Sequence, residues 1–253
     1  MIRCNVQGAV LEVEIHRPEK KNALTGEMYT ALAAAMDRAA GDAAVRAILI
    51  TGTREVYCSG NDIADFLQRP PSTEASPVMQ FLTRIQAAEK PIVAAVNGMA
   101  VGIGTTMLLH CDYVVAGEGA SFSVPFVNLG LCSEAASSLL LPATIGQRRA
   151  AEMLLFGDRI DSKRALEWDL VNAVVADGEV LDTGRKRAQA LAAKPADALR
   201  TTKALLKRHL GDAARERMLD EGREFNRLLH QPAAREALTA FVEKRLPDPE
   251  KYK

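Results

Sequence analysis

The chain has 253 residues, enough for one large domain or one domain with a helical appendage. Lys+Arg and Asp+Glu are equal at 32 each, so no global field draws it to nucleic acid or to an acidic membrane surface, and an apolar fraction of 48% is that of an ordinary globular protein. No run reaches transmembrane length, and Cys4, Cys58, Cys111 and Cys132 lie far apart without C-x-x-C spacing, which argues against a metal site or disulfide framework and for a reducing, cytoplasmic setting.

The N-terminal stretch MIRCNVQGAVLEVEI alternates like a strand instead of carrying the apolar core of a secretory signal, and Gln7-Gly8 between its two runs predicts a hairpin. After the polar turn RPEKKN, Thr25 caps a helix to about Ala40, with Met28, Leu32, Ala35, Met36 and Ala39 at helical spacing and Gly41 as its stop. Arg46 to Thr51 reads as a strand, GTREVYCSGND as a loop, and Asp62 to Leu67 as a short helix in which Asp62 and Asp65 are capping or surface groups. Arg69 to Pro77 is rich in Pro and Ser and is expected to be irregular; a helix from about Val78 to Ala88 follows it.

The stretch KPIVAAVNGMAVGIGTTMLLHCD organises the rest. Ile92 to Val96 is a buried strand ending in the Asn97-Gly98 turn, and Ile103 to His110 is a helix apolar almost all round. Two glycines at a buried helix start, Gly102 and Gly104, mean either that a ligand approaches the backbone, where first-turn N–H groups are free, or that helix and strand pack closely. Tyr113 to Ala116 reads as a further strand, and Ala120 to Val127 as another apolar stretch. Beyond Ser133 the chain reads as helices at about 134–141, 147–156, 162–168, 178–193, 196–210, 212–230 and 233–245, interrupted by a strand at 171–175. Alternating strands and helices in the first half indicate an α/β fold.

Several chemistries are excluded by spacing. Gly102-Ile103-Gly104 lacks the third glycine and the acidic residue of a dinucleotide site, Cys58-Ser59-Gly60 is no nucleophile elbow, and the four histidines are scattered, with no H-E-x-x-H. What remains is that CSGND repeats the pattern of small residues and a glycine before a short helix. Two such helix starts, at Asn61 and Ile103, could aim backbone N–H groups at one oxygen, the geometry of an oxyanion hole. Among the acids Glu134 stands out, at the start of the small-residue segment EAASS, where it is either a first-turn partner of the helix dipole or a functional group. Arg200, Lys203, Lys207 and Arg208 form a basic helical face, read as solvated or as able to meet phosphate.

Taken together, RPEKKNALTGEM, YCSGNDIADF, KPIVAAVNGMAVGIG, CDYVVA, SFSVPFVNLGLCSEAASSLLLPATIG and AEMLLFGDRIDSKRALEWDLVNAVV resemble the crotonase, or enoyl-CoA hydratase/isomerase, family. The resemblance implies repeated ββα units forming a spiral of two sheets wrapped by helices, with a core over 1–195 and a helical region over 196–253 for oligomerisation, as a trimer or hexamer, and for covering the site. It implies an acyl-CoA as substrate, with no separate cofactor, metal, nucleic acid or membrane. The Asn61 and Ile103 N–H groups would hold the thioester oxygen. Lys21, Ala23, Gly60, Asp62, Ile63, Gly102, Gly104, Phe126 and Leu131 would line the ligand, Val101 and Leu129 would add to the apolar walls, and Lys244 or Arg245 could meet phosphate. The two positions where hydratases of this family carry glutamates are Thr106 and Phe126 here. Glu134 matches the single catalytic glutamate of the Δ3,Δ2-enoyl-CoA isomerases, with Cys132-Ser133 where a proline is common. The expected activity is therefore movement of a 3-enoyl-CoA double bond to the 2-position, with hydration, other crotonase chemistry or acyl-CoA binding without catalysis as alternatives.

Overall fold

The computed structural model describes residues 1–68 and 75–252; the expected irregular stretch from Arg69 falls mainly outside them. A hairpin of β1 (Ile2–Gln7) and β2 (Val10–Ile15) opens the chain, followed by α1 (Gly26–Gly41), β3 (Ala47–Thr51), α2 (Ile63–Gln68) and α3 (Pro77–Ala87). Then come β4 (Ile92–Val96), β5 (Met99–Val101), α4 (Ile103–Thr106), a 3-10 turn Met107–His110, β6 (Tyr113–Gly117) and β7 (Ser121–Ser123). The second half holds α5 (Ser137–Ile145), α6 (Gln147–Ala151) running into a π-helical turn Glu152–Phe156, β8 (Ile160–Asp161), α7 (Ser162–Glu167) and β9 (Ala173–Val175). It closes with α8 (Val180–Ala192), α9 (Ala196–Lys207), α10 (Gly211–Leu229) and α11 (Pro232–Glu243).

The strands form two sheets, one ordered β1-β2-β3-β4-β6-β9 and one ordered β5-β7-β8. In the larger sheet only the β1–β2 pair is antiparallel. Its central strands, Ala47–Thr51 and Ile92–Val96, are covered on both faces, which is why they read as unbroken apolar runs and not as alternating ones. Alternation survives in the packing. Ile48, Ile50, Ile92, Ala94 and Val96 point into the main core, while Leu49, Val93 and Ala95 meet Val180, Ala188 and Ala192 of α8 on the other face. Gly184 permits that approach, since a Cβ there would stand 2.9 Å from the Ala95 side chain.

Local signals account for many boundaries. The Thr25 hydroxyl accepts the Met28 N–H at the start of α1, and Ser76 does the same for Met79 at the start of α3, which puts Pro77 at the first helical position. The buried segment at 103–110 is helical as expected, but tightens to 3-10 geometry at Met107. The small sheet was not legible in advance: β5, β7 and β8 have three, three and two residues, too short for a period to show.

The basic face of α9 corrects an expectation. Lys203 is 5% exposed, donating to Asp112 Oδ2 at 2.6 Å and to the Lys90 carbonyl at 2.7 Å, while Lys207 donates to the Gln86 carbonyl at 3.0 Å. Burial and the neighbouring Lys203 charge lower the Lys207 ammonium to about 8. These two cations tie α9 to the end of α3 and to the approach to β4 and do not form a solvated stripe. Removing one partner of such a pair leaves the other incompletely satisfied, so Lys203→Ala is expected to lower the urea-unfolding free energy by about 3 kcal/mol. The 28% exposure of the Asp112 side chain argues for the low end of the range. A loss below about 0.5 kcal/mol would contradict the assignment.

Candidate active site

The centre of the site is where the loop 57–62 runs beside β5. Cys58 pairs with Ala100 in an isolated parallel bridge, with Cys58 N–H donating to the Met99 carbonyl at 3.1 Å and Val101 N–H to the Cys58 carbonyl at 2.9 Å. The two glycine-bearing turns then press on each other. A Cβ at Gly104 would lie 2.5 Å from the Cys58 carbonyl oxygen, and one at Gly60 would lie 3.2 Å from that of Val101. Gly104 is thus small for packing and lines no ligand space; Gly98 is likewise pressed against the Glu55 carbonyl, 2.0 Å from an added Cβ. Gly102 differs, with φ +55° and only the Phe126 ring, at 3.6 Å, near an added Cβ. That conformation turns the chain into α4 and leaves the Ile103 N–H at the helix start, where no intrahelical acceptor exists.

Asn61 and Ile103 both line a cavity of about 350 Å³, together with Gly60, Ile63, Val101, Gly102, Phe126, Leu129 and Leu131. The expected walls are therefore present, but they line this lobe and not the surroundings of Glu134. Glu134 lies in an adjoining lobe of about 300 Å³ with Val78, Met79 and Leu82 of α3 and Met218, Leu219 and Phe225 of α10. Asn61, Phe66 and Phe225 line both lobes and so join them. Phe225 stands edge-on to Phe66 and Phe126, with ring centroids 5.8 and 6.1 Å away.

Other expected ligand residues sit behind this surface. The Lys21 carbonyl accepts the Ser59 N–H at 3.1 Å, and the Ala23 carbonyl accepts from Arg17 at 3.0 Å. Asp62 Oδ2 takes a 2.7 Å ion pair from Arg17 while Oδ1 caps α2 through Ala64 and Asp65. These three brace the loop and do not line either lobe. The sequence reading missed Asn22, fully buried at φ +58°, whose amide donates to the Val56 and Tyr57 carbonyls at 2.7 and 3.1 Å and so holds the same loop from below. Arg245 reaches the cavity rim, but its guanidinium is paired with Glu236 and Glu243.

Glu134 itself is not in a helix. α5 starts at Ser137, and between them Ala135 and Ala136 adopt φ +60° and +57°, two successive left-handed residues that are not glycine. Each costs about 1–2 kcal/mol, so the surroundings must impose the turn. The strained turn carries Glu134 away from the helix axis and into the lobe. Its Oε1 accepts the Thr106 hydroxyl, and its Oε2 is buried without a hydrogen-bond partner among the described residues. Burial pushes the carboxyl up to about 8; the Thr106 bond opposes this and the nearby Glu221 charge adds to it. Glu134 lies three residues before α5, which has no acid in its first turn, so it is not a first-turn partner of that helix dipole.

The sequence profile of the enoyl-CoA hydratase/isomerase family matches residues 5–251. The chain belongs to this family. It is 30% identical over 243 residues to the 2,3-dehydroadipyl-CoA hydratase of Escherichia coli, covering 96% of this chain and 95% of that protein. It is 34% identical over 209 residues to enoyl-CoA delta isomerase 2 of Rattus norvegicus, covering 80% of this chain and 53% of the rat protein. The crystal structure of an enoyl-CoA hydratase/isomerase from Pseudoalteromonas atlantica superposes with a TM-score of 0.94 at 38% identity over 98% of both chains. The fold is accordingly the crotonase fold, the protein is an enzyme of this family, and family membership implies a CoA thioester as substrate. Its relatives include both a hydratase and an isomerase, so kinship alone leaves the reaction open.

Because the folded-state pKa of Glu134 is raised to about 8 from 4.5, the native state keeps a proton that the unfolded chain has lost across that window. Its contribution is therefore complete below about pH 4.5 and lost as pH rises through about 8. Glu134→Gln should melt higher than wild type, by a margin that grows from pH 5 to 8 and then levels off; equal melting at pH 5 and 9 would contradict the burial argument.

Proposed function

We propose that this enzyme is a Δ3,Δ2-enoyl-CoA isomerase in which Glu134 is both base and acid. The observation that carries the reading is that Glu134 lines a largely apolar lobe joined to the cavity lined by Asn61 and Ile103, with its Oε2 buried and unpartnered among the described residues. Thr106, by donating to Oε1, orients the carboxylate so that Oε2 is the free one. With the acyl thioester seated across both lobes, the Asn61 and Ile103 N–H groups donate to the thioester oxygen. Oε2 removes the proton from the carbon between thioester and double bond. Electron density moves onto that oxygen, and the two donors stabilise it by about 2.7–4 kcal/mol each. The carboxylic acid then returns the proton to the γ-carbon, and the double bond ends in conjugation.

A hydratase would need a second acid to activate or deliver water. At the two matching positions stand Thr106, whose hydroxyl serves Glu134, and Phe126, an apolar wall. This favours isomerisation over hydration. Met79, Leu82, Met218 and Phe225 make the acyl lobe hydrophobic and support a fatty acyl chain. We carry the same reading to assembly, as a homotrimer or hexamer with no separate cofactor. It is supported by exposed Leu155 and Phe156 on the π-helical turn, each 68% accessible.

With a 3-enoyl-CoA and detection of the conjugated thioester, Glu134→Ala is expected to lose about a thousandfold or more of the isomerisation rate while still binding acyl-CoA. Retention of more than a few per cent, or hydration of a 2-enoyl-CoA as the faster reaction, would overturn the proposal. For the wild type, kcat/KM should rise with pH and level off above about 8, because only the carboxylate form of Glu134 is a base. A flat profile between pH 6 and 9 would contradict the role.

A further inference from the structure

One buried acid is used by nothing described so far. Glu221, on the face of α10 toward the core, is 6% exposed. Its Oε2 accepts the Ala136 N–H at 2.6 Å and its Oε1 accepts the Ser138 N–H at 2.8 Å. Ala136 is the N-cap of α5 and has no side chain able to cap it. The carboxylate from a helix 85 residues away supplies that cap instead. On the opposite side His110 Nε2 donates to the Ala135 carbonyl at 2.9 Å; burial lowers the His110 imidazole to about 4, so the ring is neutral and the carbonyl fixes the tautomer that carries its proton on Nε2. The two left-handed alanines are thus gripped from both sides immediately after the catalytic glutamate.

We propose that Glu221 is a positioning residue for isomerisation: by holding the 135–138 turn it aims Glu134 Oε2 into the cavity, and through α10 it fixes the acyl-binding wall in register with the base. Met218 and Phe225 lie three residues before and four after it on the same helix, and both line the Glu134 lobe. Burial is the main cause that raises the Glu134 carboxyl, and Glu221 adds to it by repulsion; burial raises the Glu221 carboxyl as well, against the lowering by its Ser138 and Ala136 hydrogen bonds. The other titratable groups facing Glu134 are Tyr29 of α1 and Cys58 of the loop, both buried and held uncharged, so Glu221 is the anion among the interactions that act on it. Arg217, one turn before Glu221, donates to the Ser138 hydroxyl at 3.2 Å and partly offsets the Glu221 charge.

The inference rests on Glu134 being the base, and Glu134→Gln serves as the control for that assignment. In Glu221→Gln the repelling charge goes and one backbone N–H faces an amide NH2. The expected result with a 3-enoyl-CoA is about a tenfold or greater loss of kcat, KM within about twofold, and an acid limb of kcat/KM moved below its wild-type position near pH 8. Glu221→Asp keeps the charge but shortens the reach, so kcat should fall while the limb stays. Unchanged kcat in Glu221→Gln, or kcat loss that tracks lowered melting temperature with the limb unmoved, would overturn the proposal. If Glu221→Gln does not fold, Glu221→Asp decides: kcat within twofold of wild type overturns it, and a selective kcat loss supports it. An active Glu134→Gln would instead defeat the base assignment.

Discussion

The proposed chemistry depends on one buried carboxyl group, Glu134, which has no counter-ion among the described residues. Glu134 accepts a hydroxyl from Thr106 on one oxygen, has the Glu221 carboxyl nearby, and lines a lobe whose other walls include apolar side chains from two helices. Such a group is costly to ionise, and a proton taken up there is not exchanged freely with water. The fold offsets the cost locally. Two strained alanines, a neutral histidine and a buried glutamate hold the turn that presents it.

The half of the site around Asn61 and Ile103 is built differently. It uses main-chain groups, and its accuracy comes from backbone packing: Gly60 against Val101, Gly104 against Cys58, and the Cys58–Ala100 bridge that locks the two chain segments together. Side chains enter as braces, with buried Asn22 holding the loop from below and the Arg17–Asp62 pair bracing it beside α2.

Features with a short-range signature were legible in the sequence. The Thr25 cap, the Asn97-Gly98 turn, the doubly buried strands and the Gly102 helix start each have a local cause, and the structure contains each of them. The role of Gly104 was misread because a close approach by backbone and one by ligand demand the same residue. Glu134 was placed in a helix because EAASS has ordinary helical propensity, and the left-handed turn at Ala135 and Ala136 is imposed by partners far along the chain. Lys203 and Glu221 were illegible for the same reason. Each sits on an amphipathic helix at a position that looks solvated until the opposing surface is known.

The central claim is that one shielded carboxyl takes and returns the same proton. It is tested most directly by running the isomerisation of an unlabelled 3-enoyl-CoA in deuterium oxide and locating label at the γ-carbon of the first product formed. Transfer by a buried Glu134 carboxyl predicts that a substantial part of the product keeps the substrate's own hydrogen there. Complete deuteration at the γ-carbon from the earliest turnover would show that solvent supplies the second proton and would contradict the account.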